Sequence, residues 1–150
     1  MGDLLEVKKR RRFDIISAMD IFIAEEAEAG LRAEALGPPP EGRRGLLLGH
    51  RRGPRFFIAR VFPLGGRSFP PASRIRELDR LFNGKTVGYY STHSPAPGRA
   101  GILQPFAYGK AFLRLHGTEG GTRGPTVSAW VIEFDKKFYL SPISLARRRS

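Results

Sequence analysis

The chain has 150 residues, 41% of them hydrophobic, which suits one domain able to bury a core of its own. It contains no cysteine, so disulfide frameworks, thiolate zinc clusters and cysteine nucleophiles are excluded, and it carries a net charge of +12. No apolar run reaches the roughly 18 residues that cross a bilayer, and Asp14 and Asp20 break the stretch after Lys8 to Arg12, so a cytoplasmic protein with no membrane partner is expected.

Residues 1–12 read as a basic flexible leader, residues 13–145 as the domain and residues 146–150 as a basic tail. Phe13-Asp14-Ile15-Ile16 reads as a short strand, with Ser17 as N-cap of the helix that follows. In that helix Ile23, Ala24, Ala27, Leu31 and Ala35 recur at helical spacing, while Glu25, Glu26, Glu28, Arg32 and Glu34 take the other side. It reads as an amphipathic helix laid against something flat, ended by Gly37 and three prolines. Gly45-Leu46-Leu47-Leu48-Gly49 has the continuous apolar character of a buried strand, and the turn signal at 50–54 makes Arg55 to Phe62 its hairpin partner.

Ser73 is a second candidate N-cap, for a helix that places Ile75, Leu78 and Phe82 on one face and stops at Asn83-Gly84. A strand at 86–90, a loop at 94–101 and a short helix near 104–110 follow. Two strands, 111–116 and 126–134, are joined by a glycine-rich turn, and a last strand lies near 138–140. The order predicts an α+β fold, a mixed central β-sheet with flanking helices.

Three segments in order resemble the JAB/MPN (Mov34-type) metalloprotease family. They are a helix before the Gly45 to Gly49 strand, a partner strand ending in Val61-Phe62-Pro63-Leu64, and Val87-Gly88-Tyr89-Tyr90-Ser91-Thr92-His93-Ser94-Pro95. The last is similar to the family signature Val-Gly-Trp-Tyr-His-Thr-His-Pro. The resemblance spans about Phe13 to Leu140 and implies the family's MPN/JAB (cytidine-deaminase-like) architecture.

It also implies a site. Active relatives hold zinc with two histidines and an aspartate, leave the fourth position to water, and use a glutamate as general base; the metal lowers the pKa of that water. Here the first histidine position falls on Ser91 and the second on His93, and the aspartate position falls on Gln104. The nearest downstream aspartate is Asp135, too late to serve. The base position falls on Gly42, next to Glu41, and a bulge there could return the Glu41 carboxylate to the cleft.

The leading expectation is therefore a non-catalytic, pseudoenzyme-like scaffold or protein-interaction domain without cofactor, working with a protein partner or as a homodimer. Its remnant cleft comprises Ser91, Thr92, His93 and Gln104. A zinc-dependent isopeptidase or peptidase with Glu41 as its catalytic base and His93 as metal ligand is the enzyme alternative. A basic nucleic-acid-binding module is the second: its basic groups (Lys8 to Arg12, Arg43-Arg44, Arg51-Arg52, Arg147 to Arg149) are short, scattered and not interleaved with aromatics along the chain. His50 and His116 read as surface histidines beside turns, and Tyr89 and Tyr90 as core or cleft-lining rings.

Overall fold

The computed structural model describes residues 19–36, 42–65, 69–92, 104–116 and 126–146. The expected leader, the strand at 13–16, the cap Ser17, the turn at 117–124 and the tail from 147 lie outside them, as do Glu41 and His93. The elements are β1 (Asp20–Ile23), α1 (Glu25–Leu36), β2 (Arg44–Arg52), β3 (Arg55–Leu64), α2 (Ala72–Leu81), β4 (Thr86–Ser91), a 3-10 turn (Pro105–Ala107), β5 (Ala111–His116), β6 (Thr126–Asp135), β7 (Lys137–Pro142) and β8 (Ser144–Ala146). Among the described residues no helix is long and apolar enough to cross a membrane.

The eight strands among the described residues join one sheet in the order β7-β6-β5-β4-β2-β3-β1-β8. Its two edges are consecutive in the chain: β7 ends at Pro142, β8 begins at Ser144, and only Ile143 separates them. One strand residue advances about 3.3 Å, so the sheet must curl until its edges nearly meet. The Ile143 amide extends the β6–β7 ladder by one bond, donating to the Ala129 carbonyl of β6 at 3.1 Å.

This overturns the expected helix-flanked α+β arrangement and the MPN/JAB architecture attached to it: the described residues are mostly sheet, curled like a half-barrel, with two α-helices among them. Nor does α1 lie on a flat surface. It packs in the hollow of the curl, where Ala27 and Leu31 join Ile21, Leu47, Phe56, Ile58, Tyr90, Leu113 and Val131 in one core. Small residues allow that depth, since a Cβ on Gly30 would come within 2.6 Å of Val61. On the convex side α2 covers a second core, with Ile75 and Leu78 against Leu46, Leu48, Tyr89, Phe112 and Ile132.

Helix α1 starts later than its apolar spacing predicts, because residues 20–23 are a strand. β1 runs parallel to both β3 and β8, and these ladders outweigh a helical period that residues 23 and 24 could equally have extended. The chain turns into the helix at Ala24, whose amide donates to the Ile58 carbonyl at 2.9 Å. Ser73 does not cap α2; Pro71 stands at the N-cap without a side-chain bond. The far end follows the sequence signal. Asn83 and Gly84 both take positive φ, and their amides donate to the Arg80 and Asp79 carbonyls, a Schellman closure.

Two bulges set which side chains face which core. Ala59 is the extra residue where β3 meets β2 between the pairs Leu48↔Arg60 and Gly49↔Ile58. Val87 is the extra residue where β4 meets β2 between Leu47↔Gly88 and Leu48↔Thr86. The first turns Val61 and the second turns Val87 toward α1. Leu48 borders both irregularities and Gly49 the first, where a Cβ on Gly49 would lie 1.8 Å from the Phe57 carbonyl oxygen.

Candidate functional site

β4 is buried along its whole length between β2 and β5, and it carries the first part of the signature-like segment. Alternation sends Tyr90 toward α1 and both Tyr89 and Ser91 toward the convex side. The Tyr90 hydroxyl donates to Glu34 Oε1 at 2.7 Å, and Arg43 Nη1 reaches Glu34 Oε2 at 3.3 Å. Thr92 closes the arrangement, accepting from the Arg43 amide on Oγ1 at 2.7 Å and donating its own amide to the Arg43 carbonyl at 2.8 Å. Gly45 makes room, because a Cβ there would lie 2.5 Å from the Tyr90 hydroxyl. Burial pushes the Tyr90 hydroxyl well above its ordinary pKa, reinforced by the bond to and charge of Glu34 and partly opposed by Arg43. Burial also pushes Tyr89 up, with a smaller contribution from Asp79.

On the other face, the register sets Arg44, Ser91, Arg114 and Ser128 level with one another across β2, β4, β5 and β6. Ser91 is 6% exposed and Arg44 3%. The Arg114 Nε is buried without a hydrogen-bond partner. His116 Nε2 lies 3.0 Å from Ser128 Oγ, and its pKa is lowered, first by desolvation and then by the Arg114 charge.

The structure therefore brings together only part of the expected cleft. Ser91 and Thr92 are adjacent but face opposite sides of the sheet, and Thr92 is committed to Arg43. Gln104 is half-buried at the head of the 3-10 turn. Gly42 does not belong to β2 at all; with φ of 71° it forms the approach to the strand, so the bulge that was to return Glu41 has no strand there to interrupt. His116 is not a free surface histidine, and His50 is a strand residue rather than a turn residue. The residues that sequence reasoning missed are Glu34, Arg43, Arg44 and Arg114. Glu34 repeats the charged pattern of its helix, and only the distant Tyr90 distinguishes it.

Among the described residues, Ser91 and Gln104 are not the histidine and aspartate that hold a hydrolytic zinc. Ser91 is flanked in register by two arginines, whose charge opposes a divalent cation, and Gln104 offers a neutral amide. The one buried carboxylate of the network, Glu34, faces the opposite side and has both oxygens engaged. A row of guanidinium, hydroxyl and imidazole groups suits a negatively charged group better than a cation.

No family model matches the chain, and no curated protein matches it by sequence. Among solved structures it is similar to the solution structure of protein DSY2949 from Desulfitobacterium hafniense, with 15% identity, a TM-score of 0.56, and 85% of this chain and 94% of that chain covered. At that identity the likeness shows a shared fold.

Proposed function

We propose that this chain is a non-catalytic protein-interaction domain, a pseudoenzyme whose signature-like segment resembles a metallo-isopeptidase motif and keeps His93 but lacks most of its other ligands. The observation that carries this reading is the register of Ser91 between Arg44 and Arg114. A position that must accept a metal is bracketed by fixed positive charge, and the nearby acid Glu34 braces Tyr90 and Arg43 instead. The tip of the β6–β7 hairpin supports the interaction half of the proposal. There Phe134 and Tyr139 are 53% and 38% exposed, and Phe134 meets Phe138 with ring centroids 4.7 Å apart. Alternation puts Phe134 on one face of the tip and Tyr139 on the other, and exposed aromatics of this kind are side chains a protein partner buries profitably.

The test is metal analysis of protein purified without chelators, run beside cleavage of ubiquitin-like and short peptide conjugates. Zinc well below one equivalent, unchanged in His93→Ala, and no cleavage are expected. About one zinc per chain, lost in His93→Ala together with conjugate cleavage, would overturn the proposal.

A further inference from the structure

The basic groups scattered along the sequence acquire aromatic neighbours only when the strands pair. On the convex face beyond the reach of α2, β2, β3 and β1 place three rings side by side. His50 stacks on Phe57 with centroids 4.8 Å apart and planes within 18°, and Phe57 stacks on Phe22 at 5.3 Å and 11°. The Arg55 guanidinium lies over Phe22 at 5.7 Å from the ring centre. Phe57 and Phe22 are half-buried and His50 is exposed, and among the described residues only Phe57 stacks on His50. The ladder therefore carries a cation against Phe22 and ends on the exposed ring of His50.

Charge at this end is arranged against the sheet's own interest. Arg52 and Arg55 are both exposed and stand directly opposite each other across β2 and β3, where like charges repel. The single acid of the cluster, Asp20, is Arg55's register partner on β1, yet its Oδ1 is buried with no hydrogen-bond partner while the guanidinium rests on Phe22. A polyanion would relieve the repulsion. An aromatic stack ending on exposed His50, beside two guanidinium groups that no acid pairs among the described residues, matches a single strand of nucleic acid, with a base stacked on His50 and phosphates on Arg52 and Arg55. A duplex keeps its bases paired and offers only phosphate.

We infer that this ladder is a binding site for single-stranded nucleic acid, one that adds a base onto the open face of His50. It is independent of the Ser91 row and of the hairpin tip. The test is fluorescence anisotropy with a labelled fifteen-residue oligothymidylate, alongside the same length of duplex, over a salt titration. Binding of the single strand tighter than the duplex is expected. His50→Ala should weaken it by roughly 5- to 10-fold, and His50→Tyr should restore it, because one stacked base contributes at the lower end of the usual range. Arg52→Gln with Arg55→Gln should reduce the salt slope, whereas Arg74→Gln with Arg76→Gln on α2 should leave binding as it was. All these positions are exposed, so folding is spared. Equal affinity for single strand and duplex, indifference to His50→Ala, or self-association through the ladder without oligonucleotide binding would each overturn the inference.

Discussion

Tyr90 shows how one hydroxyl can fasten a helix to a strand from the inside of a curled sheet. Its bond to Glu34 is buried and charge-assisted, so removing it leaves a carboxylate oxygen without its donor in a place water does not reach. Tyr90→Phe is expected to cost about 1.5–3 kcal/mol in urea unfolding, less than a fully orphaned carboxylate because Arg43 remains on the other oxygen. The same bond sets a pH dependence. A tyrosine whose folded pKa is raised keeps its proton after the unfolded chain has lost it, so its stabilisation is complete below about pH 10 and is lost as pH rises further. Unfolding midpoints measured from about pH 9 to 11 should fall for the parent protein and fall less steeply for Tyr90→Phe, with Tyr89 accounting for the remaining slope. Little of this was legible beforehand. Tyr90 could be read as a buried ring, but Glu34 looks like every other acid of α1 until the fold brings a partner 56 residues away against it.

The strands that could be read are those with local signals. β2 and β3 follow from an apolar run, a Gly53-Pro54 turn and a second apolar run, and their pairing is the hairpin that the sequence suggests. β1 and β8 carry too few residues for any period to show, and their parallel partners lie far away in the chain, so nothing local marks them as strands. The bulges were equally hidden, although Gly49 left a trace of one. Its neighbouring backbone leaves no space for a methyl group, and the contact is with a carbonyl oxygen of the sheet, which cannot swing aside. Gly49→Ala should therefore force β2 and β3 apart and cost on the order of 3 kcal/mol or more, read as a lower denaturant midpoint. If the midpoint stays within about 0.5 kcal/mol of the parent, the tight crossing at the bulge does not hold in solution.

At the scale of the whole molecule, the expectation of helices on a mixed sheet failed because element types do not specify curvature. Two helices and several strands are compatible with a flat layered sandwich or with a sheet wrapped around one helix. The choice rests on the single-residue step from β7 to β8, whose endpoints only the folded chain reveals as opposite edges. Wrapping has an energetic consequence: the same central strands wall both cores, with Leu47 and Tyr90 facing α1 while Leu46, Leu48 and Tyr89 face α2. Neither core can loosen without disturbing the backbone that holds the other. Trp130, the one tryptophan of the chain, packs on the α2 side. Leu31→Ala empties space on the α1 side and should cost about 2–4 kcal/mol. If the two cores are one cooperative unit, its unfolding followed by Trp130 fluorescence and by far-UV circular dichroism should shift to the same lower midpoint, as should that of Ile75→Ala on the near side. A fluorescence transition that stays at the parent position in Leu31→Ala, while the dichroism moves, would mean that the convex core folds without the helix enclosed by the sheet.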